Sequence, residues 1–168
     1  MRGVVLILLS ASLAGCGYRP LGAGRTTDLS PAITTIAIGT LKNRTFRPTI
    51  LPALKEAILR RFAADARLKV VDGEADAILE GTIDGFSEDP LAFDSTDTAR
   101  RYRLSIYFTF TLKDRVKDRM LLHDGLSGVA FYIAGPGVTA TRAAQDEATL
   151  RAVRDLADGV VSRVADGV

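Results

Sequence analysis

Cysteine is nearly missing from this chain: among 168 residues Cys16 stands alone. No disulfide can form within one molecule, so the fold must rest on burial and hydrogen bonds even in an oxidising compartment. Histidine is equally scarce, with His123 the only one and no HxxH-type spacing. A His/Cys metal site is therefore ruled out, and neither metal nor cofactor is expected. The glycine-bearing motifs of catalysis and nucleotide binding, GxSxG, Walker A and GxGxxG, do not occur, and Gly135-Pro136-Gly137 reads as a strand-to-helix turn. A formal charge of +2 lacks the basic excess of a nucleic-acid binder. Long apolar runs are absent as well. Gly3 to Leu9 falls short of the about 20 residues that cross a bilayer core.

What that short run does have is its setting, MRGVVLILLSASLAGCGYRP. Arg2 supplies a positive charge, and Leu13-Ala14-Gly15 places small residues before Cys16. This is the layout of a bacterial lipoprotein signal, in which the Cys16 thiol takes a diacylglycerol and becomes the first mature residue. The sequence thus predicts a signal peptide over 1–15, a lipidated tether over 16–31 and one domain over 32–168. Three acyl chains would hold the protein firmly, where one chain binds only reversibly. Gly17, in place of the Asp that favours inner-membrane retention, points to the outer membrane.

The remaining residues, about 150, are enough for one core, and 47% hydrophobic with 25% charged residues agrees with that. Ile33 to Ile38 reads as a strand, and Asn43-Arg44-Thr45 as a turn. Leu51, Leu54, Ile58 and Phe62 form a helical stripe, with Pro52 in the first turn and Lys55, Glu56, Arg60 and Arg61 opposite. Leu68 to Val71 can add a short extended piece. Ala77 to Phe86 is a second strand, with Leu79 and Ile83 on one face and Glu80, Thr82 and Asp84 on the other. Glu88 to Thr98 reads as a polar loop around Pro90. Leu104, Ile106, Phe108, Phe110 and Leu112 alternate with Arg103, Ser105, Tyr107, Thr109 and Thr111, which predicts a strand with one buried and one wet face. After a charged hairpin, Asp114 to Asp118, comes a strand over Leu121 to Ile133, with Gly125 and Gly128 allowing a bulge or a close approach. A helix from about Arg142 to Val164 should bury Leu150, Val153, Ala157, Val160, Val161 and Val164, with Asp146 and Glu147 near its start and Arg163 near its end. The architecture expected is α+β: a two-layer sandwich with two helices packed on one face of a mostly antiparallel four-stranded sheet.

Catalysis has no clear foothold in these residues. Eight acidic side chains fall between Gly73 and Ala99, and a pair could in principle serve glycoside hydrolysis, but they lie in a wet, charge-rich segment. Seven basic residues follow between Arg100 and Arg119. Arg101, Arg103 and Tyr107 should project from the wet face of the third strand, where guanidinium groups can hold phosphates bidentately. Cross-strand pairing with Glu80 and Asp84 is the structural alternative for the two arginines. Arg142, beside the Gly-Pro-Gly turn, is a second candidate for an anionic ligand.

Taken in order, Leu-Ala-Gly-Cys-Gly-Tyr, ITTIAIGTLKNRT, ADAILEGTI, RRYRLSIYFTFTLKD and DLADGVVSRV resemble the lipopolysaccharide-assembly lipoprotein family, LptE. The resemblance covers nearly the whole mature chain. It implies two helices on a four-stranded sheet and an outer-membrane lipoprotein on the periplasmic side. It further implies a plug inside a large β-barrel translocon of the LptD type, which the chain helps to assemble, and binding of lipopolysaccharide. The regions matching the family's ligand-contacting basic positions are Asp94 to Arg103 and Thr141 to Arg142. The first loop is itself acidic, which leaves Arg100, Arg101 and Arg103 as its nearest basic residues. A different periplasmic lipoprotein factor, activating a peptidoglycan synthase or serving a transport system, would share this anchor and architecture.

Overall fold

The computed structural model describes residues 33–93, 95 and 99–167. The expected signal peptide and tether, Cys16 included, lie outside the described residues. The elements are β1 (Thr35–Asn43), α1 (Ile50–Asp65), β2 (Lys69–Val70), β3 (Ala77–Phe93), β4 (Ala99–Asp114), β5 (Arg119–Ile133) and α2 (Val138–Asp166). They form one five-stranded sheet in the order β2-β1-β3-β4-β5.

The expectation of four mostly antiparallel strands is corrected here. The Leu68 to Val71 piece becomes β2, and β1 runs parallel both to it and to β3. Only β3–β4 and β4–β5 are antiparallel, so the sheet is mixed. A parallel pair needs a crossover, and α1 supplies the one from β1 to β2.

One apolar cluster joins the helices to the inner sheet face. Leu79, Ile83, Leu104, Ile106, Phe108, Phe110 and Leu112 are at most 1% exposed, against Leu54, Ile58 and Phe62 of α1 and Val153, Leu156, Val160 and Val161 of α2. The stripe assigned to α2 is right except at Leu150, which is 51% exposed. Small residues, Ala148, Ala152 and Ala157, carry that seam in its stead. Gly128 of β5 is what lets α2 come so near: a Cβ there would stand 2.1 Å from the Ala152 carbonyl oxygen. α2 also begins a full turn before Arg142, so Asp146 and Glu147 sit well inside it and its first turn holds no acidic side chain.

The polar loop expected over Glu88 to Thr98 is mostly strand. β3 continues to Phe93, with Asp89 opposite Arg103 and Pro90 opposite Tyr102. A register shift between Ile83 and Gly85 changes which residues face inward. Before it Leu79 and Ile83 face the helices; after it Phe86 and Glu88 do, opposite Ile106 and Leu104.

The ends of the elements are tied by polar groups. Arg67 reaches Asp65 at 2.6 Å and Asp166 at 2.7 Å, joining the C-terminal ends of the two helices. The hydrogen bond from Arg67 holds the Asp65 carboxyl below its ordinary range. Asp114, buried at the β4–β5 hairpin, accepts the N–H groups of Val116 and Lys117 at 2.9 and 3.0 Å. At the start of β1, one oxygen of Asp76 accepts the backbone N–H groups of Thr34 and Thr35, both at 2.9 Å. The same oxygen accepts both threonine hydroxyls, at 3.2 and 2.7 Å. Those four donors, the Thr34 backbone N–H foremost, pull the Asp76 pKa down to about 2.

Candidate functional site

The candidate residues on β4 divide by parity between the two sides of the sheet. Arg101, Arg103 and Tyr107 lie on the outer face, in register with Ile133, Phe131 and Ser127 of β5. The guanidinium carbon of Arg101 stands 5.4 Å from the Phe131 ring centroid, and that of Arg103 5.8 Å. Phe131 is itself 42% exposed, so two cations flank one accessible ring. Stacking on an aromatic leaves the N–H edge of a guanidinium free to meet an anion in the plane. Tyr107, half exposed, covers the bare backbone of Gly85.

The cross-strand pairing expected for these arginines does not form. Glu80 is opposite Thr111 and bonds Lys113 at 2.9 Å, which raises the lysine pKa. Asp84, at the bulge, faces Arg44 at 3.6 Å. Arg101 and Arg103 make no ion pair among the described residues, although Asp89 lies opposite Arg103 in register.

Arg100 belongs to the other side. With Arg142, Tyr102, Gln145 and the 134–138 turn it borders a hollow of about 500 Å³ at the N-terminal end of α2. The structure therefore brings Arg100 and Arg142 together and sets Arg101, Arg103 and Tyr107 apart from them.

A polar cluster that sequence reasoning missed lies beside this hollow. Glu88, turned inward by the β3 bulge, accepts the Tyr132 hydroxyl at 2.9 Å and the Gln145 amide at 2.6 Å, and bonds Arg47 at 3.3 Å. Arg47 also lies 4.8 Å over the Phe86 ring, and Tyr102 stacks on Tyr132 at 5.0 Å. Burial, seconded by the Glu88 carboxylate, pushes the Tyr132 hydroxyl well above its usual pKa. Strand β3, the start of α2 and the β1–α1 loop are thereby locked together behind the arginines. No pattern in the sequence marks Glu88 for this, because its inward turn depends on the bulge.

Lower on the outer face, Thr40, Lys42, Thr82, Thr109, Thr111 and His123 line a shallow trough of about 400 Å³ with Glu80 and Asp84. Among the described residues no three His, Cys, Asp or Glu side chains gather as metal ligands, and no helix is long and apolar enough to cross a membrane.

Solved structures share this fold. A rare lipoprotein B from Shewanella oneidensis matches with a TM-score of 0.55 at 15% identity, over 77% of this chain and 94% of its own. A putative lipoprotein from Caulobacter crescentus matches with a TM-score of 0.55 at 18% identity, over 79% and 87%. A protein from Xanthomonas campestris gives 0.59 at 12% identity, over 82% and 90%. At such identities the likeness is one of fold. Among curated proteins nothing matches the chain. The sequence model of the LptE family, lipopolysaccharide-assembly, matches residues 33–164 and so spans both helices almost entirely and all five strands. On that match, the chain belongs to the LptE lipopolysaccharide-assembly family.

Proposed function

We propose that this protein is an outer-membrane lipoprotein, anchored through acylated Cys16 on the periplasmic side, that seats in a β-barrel lipopolysaccharide translocon, helps it assemble and binds lipopolysaccharide. Family membership supports the assembly role. The observation that carries the ligand is the pair of guanidinium groups over Phe131, free of ion pairs among the described residues and exposed on the outer face. Lipopolysaccharide offers phosphates for such cations and apolar chains beside them, and a charge-assisted bidentate contact is the stronger kind of hydrogen bond. Arg100 and Arg142, around their own hollow, form a second cationic position for the same ligand. The threonine-lined trough gives the outer face the polarity that a water-filled lumen requires. The chain works by binding, with no nucleic acid and no cofactor involved.

The test is binding of purified lipopolysaccharide to the wild type and to the Arg101→Glu, Arg103→Glu double variant. Loss of about a hundredfold or more in affinity is expected, with one charge-assisted contact of at least about 1.5 kcal/mol lost at each position. Equal binding by the two proteins would remove the ligand assignment. An Arg100→Glu, Arg142→Glu variant measured alongside assigns the second position.

A further inference from the structure

Phe46, in the loop between β1 and α1, is fully solvent-exposed at 102%, more than any other large apolar side chain among the described residues. A single exposed apolar residue in a slack loop would require no explanation. This loop is braced. Asn43 Oδ1 accepts the N–H and the hydroxyl of Thr45 at 2.9 and 2.7 Å, and its Nδ2 donates to the Arg47 carbonyl at 2.9 Å. The Arg47 N–H donates back to the Thr45 hydroxyl at 3.3 Å. On one flank the Arg44 N–H is fixed to Ile83 at 3.0 Å; on the other Ile50 is buried at the start of α1. The ring is thus presented, not left loose.

The charges beside it are already met. Arg44 faces Asp84, and Arg47 is held by Glu88 and Phe86. A phosphate-rich lipid surface would favour unpaired cations around an inserting aromatic. A pocket on a protein would not need them. The loop is distinct from the guanidinium pair over Phe131: β3 runs between β1 and β4, and Arg47 turns to Glu88 on the inner face while Arg101 and Arg103 face outward. Nine residues of β1 carry it about 30 Å from the point where segment 1–32 joins the domain.

We propose that Phe46 is the anchor residue of a protein–protein contact, its ring entering an apolar, polar-rimmed pocket on the barrel partner. This rests on the function proposed above. Aromatic anchors carry a large share of interface energy because they bury much area at little rotamer cost.

The experiment uses the full chain, tagged, expressed with the barrel in its own type of host and purified in detergent. Phe46→Ala and Phe46→Asp should keep the melting temperature and the affinity for purified lipopolysaccharide, while barrel recovery falls about tenfold or more. Phe46→Tyr should restore it. A photo-crosslinking residue at position 46 should form an adduct with the barrel in intact cells. If the wild type recovers the barrel and Phe46→Asp recovers as much, the anchor is overturned while the proposed function stands. Loss in Phe46→Asp of binding to phosphatidylethanolamine–phosphatidylglycerol vesicles, with the barrel complex intact, also overturns it. A wild type that recovers no barrel overturns the proposed function, and the anchor with it.

Discussion

Along β4, Ile106, Phe108, Phe110 and Leu112 turn to the helices and are at most 1% exposed, while Tyr107, their neighbour in the chain, is 47% exposed on the opposite face. The inner face is apolar from Leu104 to Leu112 and binds the sheet to both helices. The outer face holds threonines, the guanidinium pair and the accessible Phe131 ring. A strand's twofold periodicity thus lets one segment serve stability on one side and recognition on the other, with little shared between them.

Adjacent substitutions give the sharpest way to break this contrast. Phe108→Ala should cost about 3–5 kcal/mol in unfolding free energy, whereas Tyr107→Ala should stay within about 1 kcal/mol, both read from denaturant midpoints. Comparable losses at the two positions would mean that the outer face also contributes to folding. Next in size, Gly128→Ala probes the seam between β5 and α2. With the Ala152 carbonyl 2.1 Å from the added carbon, the helix must shift, and a loss of about 1–3 kcal/mol is expected. The last contrast, one of pH, belongs to Asp76. Its folded pKa of about 2 lies below the unfolded value of about 3.9, so its contribution is complete well above pH 4, declines as pH falls and is gone below about 2. Asp76→Asn should therefore flatten the dependence of the denaturation midpoint on pH between about 2 and 5, and an unchanged slope would refute the assignment.

Much of this was legible in the sequence, and the exceptions share a cause. The run from Leu104 to Leu112 declared its strand because strict alternation has no helical counterpart. The turn at Asn43-Arg44-Thr45 was equally plain, since an Asn side chain that bonds the backbone two residues on makes such a turn. Two residues, Lys69 and Val70, are too few to display a period, so β2 was seen only as an extended piece. The far half of β3 was hidden by Pro90 and its acidic neighbours, which read as a loop until β4 supplies the opposing ladder. Leu150 was misplaced because its hydrophobicity outweighed the alanines that fit the close seam. Of the site, alternation foretold that Arg101, Arg103 and Tyr107 share a face, but not that Phe131 would lie beneath two guanidinium groups. Pairings between strands depend on register, and register is set by bulges that no single strand's sequence announces.

The carboxylate of Asp76 has one more consequence, a mechanical one. Any pull on the segment preceding Ile33 is delivered to Thr34 and Thr35, where four hydrogen bonds converge on a single oxygen. From there the load runs lengthwise into β1, which is flanked by parallel partners on both sides at that point. Tension along a strand strains its ladder bonds together in shear instead of peeling them open in turn, so the domain is built to be tugged from its leading end without unravelling.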